Sequence, residues 1–238
     1  MYENFLSIVL RSIDYKDNDR MLTLLTREKG KISCLARGAR KQNNPLFGLS
    51  DVFVCADFGF FKRGGKYVIT QGVLKQNFYN IRINAEATAV AAVIAESCEK
   101  AATEEGDARL FALLAGTLFA LDNGAVPADV FCFFVIKLLD VLGMRPDTES
   151  CVSCGSPAAD KLSITLGGTV CDACAGEYVP HQYIEDIRAI LNLPSRSAME
   201  FNMQSGVDFI DFCARWLTSA LLTQPKSLKV MHTIIKKS

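Results

Sequence analysis

Histidine is almost missing from this chain: His181 and His232 are its whole supply of imidazole. The signatures by which most enzyme chemistry is recognised are missing with it. No P-loop, dinucleotide-binding glycine fingerprint, nucleophile elbow or metalloprotease motif occurs. Asp14, Asp17 and Asp19 lie close together, but the rest of a calcium loop is lacking; loop solvation or pairing with the basic strands accounts for them. Nothing specifically raises the clustered carboxylates of a metal-dependent nuclease. Long apolar runs are absent too. The longest, Leu110 to Leu121 and Val130 to Ile136, fall well below the ~20 residues that span lipid. Met1-Tyr2-Glu3-Asn4 has neither the basic flank nor the cleavage site of a signal peptide. These absences point away from catalysis, export and the membrane, toward a cytoplasmic binding protein.

What is present is ordinary in amount and uneven in arrangement. Apolar residues make up 50% and charged residues 22%, as in a folded domain, and 238 residues can bury one substantial core or two modest ones. The formal net charge is zero, yet residues 1–80 carry 13 Lys and Arg against 7 Asp and Glu, while residues 81–238 carry 13 against 19. A basic front joined to an acidic rear suggests that any polyanion is handled by the first third. Docking of one part on the other is the competing use of the same charges.

The front reads as short strands. Phe5 to Ser12, Met21 to Thr26, the stretch around Ile32 to Ala36, Val52 to Phe61 and Tyr67 to about Leu74 are each rich in strand formers and bounded by polar turns. Ile32, Cys34 and Ala36 alternate with Lys31, Ser33 and Arg37, which sends the second set to the opposite face. Five short strands without an interposed helical repeat suggest a small antiparallel barrel, with an SH3-like barrel or a sandwich as alternatives. Two loops are basic. Arg37, Arg40 and Lys41 fall within five positions after the third strand, and Lys62, Arg63 and Lys66 flank a Gly64-Gly65 hairpin. If both open on one side, they form a cationic rim for a sugar–phosphate backbone, gripping it with little sequence choice; otherwise they only aid solubility. An interaction scaffold of transcription or translation that uses the same barrel to bind RNA is the competing class of function. Phe47, beside the first loop, is a candidate for stacking on bases. Phe53 and Phe61 have the parity opposite to Phe58 and Phe60, so they either stack on bases or cover a helix.

From residue 81 the period changes to that of helices. Ala85 to Ala102, Ala108 to Leu121 and Pro127 to Leu142 read as three, the last apolar nearly all round and therefore central. Tyr183 to Leu191 and Gly206 to Leu222 add two more, and Trp216 belongs to the core. The tail, with Lys226, Lys229, Lys236 and Lys237, reads as a frayed helix or a solvated end with some potential to meet an acidic partner or nucleic acid. Between the third and fourth helices lie Cys151-x2-Cys154 and, after sixteen residues, Cys171-x2-Cys174. Two such pairs can complete a tetrahedral zinc site, structural because no position is left for water. An unmetallated, disulfide or iron–sulfur site is the alternative. Cys34, Cys55, Cys98, Cys132 and Cys213 sit singly in apolar surroundings, as reduced buried cysteines do. The fold expected is thus α+β: a barrel over residues 1–80, then an all-helical domain over 81–238 with a zinc knuckle inserted at about 148–177.

Several short pieces, in order, resemble the RecO family of bacterial recombination mediators and DNA repair proteins. They are Val9-Leu10-Arg11 through Tyr15 and Asp19, Leu25-Thr26-Arg27 with Gly30, Arg37-Gly38-Ala39-Arg40, Leu142-Gly143-Met144-Arg145-Pro146, and the cysteine block with Gly155, Gly167-Gly168 and Val170. The chain departs from the family in Asp17, where many members have glutamate, and in Gln42-Asn43-Asn44-Pro45, where a serine-rich segment is common. The resemblance implies an oligonucleotide-binding (OB) barrel that binds single- and double-stranded DNA and anneals complementary strands. It further implies association with RecR, action on DNA coated by single-strand-binding protein, indirect assistance to RecA, and a place at the nucleoid. In some members the helical domain receives the acidic tail of single-strand-binding protein. Arg145 is a candidate for meeting it, or else a cap for the preceding helix.

Overall fold

The structure is a computed structural model that describes residues 2–235, apart from the side chain of Arg63. Strands β1 (Tyr2–Tyr15), β2 (Asp19–Thr26), β3 (Gly30–Ala36), β4 (Cys55–Arg63) and β5 (Lys66–Gln76) close a barrel in the order β1-β2-β3-β5-β4. The alternation seen in the sequence is realised: Leu22, Leu24, Ile32, Cys34, Phe58 and Phe60 fill the interior. One expectation needs correcting. The barrel is not wholly antiparallel, because β3 and β5 pair in parallel, Cys34 opposite Tyr67 and Ala36 opposite Ile69. A parallel pair cannot be joined by a tight hairpin, and the chain from Arg37 to Val54 makes the crossing.

Helices α1 (Tyr79–Ile83), α2 (Ala85–Ala101), α3 (Ala108–Asp122) and α4 (Pro127–Val141) follow. Asn84 and Asp107 cap α2 and α3 through their side chains, and Pro127 opens α4 where its missing N–H costs nothing. Phe131, Phe133 and Phe134 of α4 are completely buried, each contributing about 1.5–3 kcal/mol of transfer free energy. A ribbon of β6 (Lys161–Ser163), β7 (Gly168–Val170) and β8 (Glu177–Tyr178) comes next, then α5 (His181–Asn192), α6 (Asp208–Ala220) and α7 (Ser227–Ile235). The tail is therefore neither frayed nor solvated over its described part. Leu228 and Met231 are buried, and the Glu96 carboxylate of α2 accepts hydrogen bonds from Lys226 N, Ser227 N and Ser227 Oγ at 2.7–2.9 Å. Lys236 and Lys237 lie outside the described residues. Among those residues no helix is long and apolar enough to cross a membrane.

The barrel leans on the helices through its outer surface. Ile8, Leu10, Leu25, Phe53 and Phe78 belong to the helical core rather than to the barrel interior. Phe53 and Phe78 take left-handed backbone angles, φ 69° and 45°, a cost of about 1–3 kcal/mol each that ring burial offsets. Gly30 meets the other side of this seam. A Cβ there would lie 2.4 Å from the carbonyl oxygens of Thr103 and Glu105.

Candidate nucleic-acid interface and metal centre

A groove of about 970 Å³ runs over the outer face of β3 and β5, lined among others by Tyr2, Tyr15, Arg37, Phe61, Lys66 and Tyr67. It lies between the β1–β2 turn and the β4–β5 hairpin, the face on which barrels of this topology bind oligonucleotides. Two of the predicted cations, Arg37 and Lys66, thus border one cavity. They do not form the common rim expected. Because β3 and β5 run parallel, the hairpin sits level with the start of β3 while the Arg37 loop leaves from its end. The cations consequently stand some four residues, about 13 Å, apart along the groove. Arg37, Lys41 and Lys66 are exposed and, among the described residues, face no carboxylate at ion-pairing distance.

Arg40 is placed differently. Its Nε lies 3.3 Å from Asp14 Oδ2, and its guanidinium donates to the carbonyls of Lys16 and Asp17. Asp14 also pairs with Arg20, which reaches Asp51, and Asp19 accepts from Gly38 N at 2.8 Å. Of the three aspartates Asp14 forms the ion pairs expected with basic residues, while Asp19 holds the basic loop through a backbone N–H and Asp17 through its own carbonyl. Lys62 donates to the Tyr67 hydroxyl at 3.2 Å and lies over its ring, contacts that hold its ammonium above the usual value. Arg63 was singled out in the sequence as well, but its side chain lies outside the described residues. The aromatic candidates separate. Phe47 is exposed but does not line the groove. Phe61 does, its ring 5.2 Å from that of Tyr2, whereas Phe53 is buried among the helices. Sequence reading did not single out Tyr2, since its partner across the barrel is known only from the Tyr2–Phe61 register.

The four paired cysteines converge as their spacing predicts: all four sulfur atoms lie within 4.8 Å of one another, and Cys154 Sγ is 3.6 Å from Cys171 Sγ. Four thiolates at ~2.3 Å around one ion are about 3.8 Å apart, so the donor set fits a tetrahedral metal. Backbone N–H groups, first that of Cys171, bring the Cys151 thiol down to about 6, while Cys154, lowered by the Ser156 N–H but raised more by the neighbouring thiols of Cys151 and Cys171, goes up to about 12. Burial instead pushes Cys34 up to about 12 and Cys55 to about 11, as unreactive thiols should be. Gly168 brings the ribbon onto the end of α4. Thr169 N donates to Asp147 O at 2.8 Å, and a Cβ on Gly168 would meet that oxygen at 2.3 Å. Leu162 enters the helical core, and Glu177 takes a bidentate pair from Arg215 of α6 at 2.6 and 2.8 Å. Arg145 donates to Asp140 at 3.1 Å, back onto the last turn of α4, and borders a cavity of about 460 Å³ with Arg188. His181 begins α5 and faces Glu185 at 3.4 Å, away from any role as a fifth ligand.

A closed OB-type barrel with a cationic, aromatic groove, carried on a helical body with a four-cysteine metal-binding cluster, defines a class of nucleic-acid-binding proteins. Comparison with known sequences narrows it. Residues 1–78 match the family model "Recombination protein O N terminal" and residues 82–201 match "Recombination protein O C terminal". A DNA repair protein RecO of Desulfosudis oleivorans is 30% identical over 251 residues, 96% of each chain. One from Alkaliphilus metalliredigens is 35% identical over 173 residues, 71% of this chain and 70% of that protein. One from Bacillus pumilus is 37% identical over 170 residues, and there the match spans 66% of the relative's length. The chain belongs to the RecO family.

Proposed function

We propose that the protein is a recombination mediator in DNA repair that holds DNA in the barrel groove and meets its protein partners through the helical body. The observation that carries this reading is the groove itself, where unpaired cations border a floor of aromatic rings. Arg37 and Lys66, with Lys41 and Lys62 near its ends, attract the sugar–phosphate backbone without reading sequence. Tyr2 and Phe61, rather than Phe47, offer rings on which unpaired bases stack, at about 1–3 kcal/mol per base. Duplex binds through the phosphate contacts alone. Holding one strand with its charge neutralised lets a complementary strand approach, which is what annealing requires; no bond is made or broken.

The family relationship supports RecR as the direct partner, DNA coated by single-strand-binding protein as the substrate, and RecA as the recombinase that benefits, with the work done in the cytoplasm at the nucleoid. Arg145 serves mainly as a cap on α4, and its free edge in the Arg188 cavity is where an acidic tail would be met. Zinc is the metal that best suits four thiolates at tetrahedral spacing. Held by Cys151, Cys154, Cys171 and Cys174, one structural ion would fix the ribbon onto α4 and α6. The test is annealing of complementary strands coated with single-strand-binding protein, with and without RecR, by the parent and by Arg37→Ala/Lys66→Ala. The folded double variant should anneal slowly and bind single strands weakly. Parental affinity and annealing in that variant would overturn the groove assignment.

A further inference from the structure

A second cavity, of about 700 Å³, opens where the barrel meets α2, and four cations border it: Arg11, Lys31, Lys100 and Lys226. Two carboxylates share it, and both are engaged. Glu96 caps α7 and lies 3.8 Å from Lys100, while Glu99 stands 4.0 Å from Arg11. Lys31 donates to the Glu99 carbonyl at 2.6 Å. The cleft therefore keeps a surplus of positive charge, supplied from the barrel side by Arg11 and Lys31, since Glu96 and Glu99 match Lys100 and Lys226 in number.

Strand register joins this cleft to the first groove. Leu22 and Leu24 point into the barrel, so Met21 and Thr23 point out. Opposite them stand Ile13 and Arg11 on one side and Leu35 and Ser33 on the other. On β3 the same outer face carries Lys31 at the cleft end, with Arg37 just beyond the strand in the groove. Six residues separate the two, about 20 Å of extended chain. Between them lies a face with no acidic side chain at Met21, Thr23, Ser33 or Leu35, and Ile13 is exposed on it.

We infer that the two cavities are the ends of one track, and that a single DNA strand leaving the Arg37 groove crosses the outer face of β1, β2 and β3 to end on Arg11, Lys100 and Lys226. This rests on the groove being the DNA site. It adds that the helical body takes part in holding the strand. α7, pinned by Glu96, delivers Lys226 to the path. Continuity with the groove, and a lining in which four cations outnumber two carboxylates, favours the backbone of a strand over a folded protein as occupant.

The experiment is equilibrium binding of thymidine oligonucleotides of about 5 and about 20 nucleotides, which bracket the occupancy of one such barrel, across a salt series. In Arg11→Gln/Lys100→Gln/Lys226→Gln the log–log salt slope for the long oligonucleotide should become shallower by about 0.7, because Glu99 and Glu96 already meet Arg11 and Lys100 and Lys226 supplies the full phosphate contact that is lost. The short one should bind as to the parent. A complementary variant, Ile13→Lys, places a new cation on the exposed middle of the track and should steepen the long-oligonucleotide slope by about 0.7. An unchanged slope in both variants, with parental folding by circular dichroism, would overturn the track. The groove is judged separately, by loss of short-oligonucleotide binding in Arg37→Ala/Lys66→Ala.

Discussion

Replacing Glu96 by Gln should undock α7. The Glu96 carboxylate accepts from two backbone N–H groups and one hydroxyl of the segment 130 residues further on. Hydrogen bonds to a charged acceptor contribute about 1.5–3 kcal/mol each when buried, but this site is partly exposed and water can replace some of them. A net loss of about 2 kcal/mol is the reasonable figure, close to that of a strong helix cap. If α7 opens by itself, its amide-exchange protection should fall roughly 30-fold, since 1.4 kcal/mol is a factor of ten. Protection in α4 should be unchanged. The pH dependence gives an independent check. Burial pushes the carboxyl up, but the Ser227 and Lys226 N–H groups, the Ser227 hydroxyl and Lys100 together hold it below the usual range. A depressed carboxylate stabilises the fold above its unfolded value, about 4.3, and that contribution is lost as pH falls through the lower folded value. Parental α7 should therefore lose protection on acidification below about pH 4, while the Gln variant should start low and stay level. Equal α7 protection in parent and variant at neutral pH would refute the reasoning.

Gly30→Ala should destabilise the protein by several kcal/mol, on the order of the larger single-site effects, because the methyl would meet two backbone carbonyls and the φ of +62° disfavours it; chemical denaturation measures this. Metal analysis of reduced protein should give about one zinc per chain. Cys171→Ser should lose the metal and loosen the ribbon and α6, seen as raised amide exchange around Glu177 and Arg215. Metal-free parent with unchanged exchange there would count against the clasp. Arg40→Ala should weaken single-strand binding mildly while leaving the salt slope near parental, because Arg40's charge is already met by Asp14; Arg37→Ala should reduce the slope by about 0.7. A larger slope change in Arg40→Ala than in Arg37→Ala would show that Arg40 touches phosphate itself.

The sequence by itself carried whatever depends on near neighbours. Alternation of Ile32, Cys34 and Ala36 marks an inward face because successive strand side chains point to opposite sides. Pro127 and the apolar girth of α4 mark a central helix, and two x2-spaced cysteine pairs mark a metal cluster because a short ribbon can return on itself. Only tertiary structure decided what rests on partners far along the chain. The parallel pairing of β3 with β5 set Arg37 and Lys66 at opposite ends of one groove instead of on one rim. β4 beginning at Cys55 rather than at Val52 parted Phe53 from Phe61, so one ring went to the helical core and the other to the groove. Arg40 was taken by Asp14, and the tail by Glu96. A charge or a ring has no fixed use in a linear chain; which acid neutralises it, or which surface covers it, is settled when closure of the barrel and packing of the helices bring distant segments within a few ångströms.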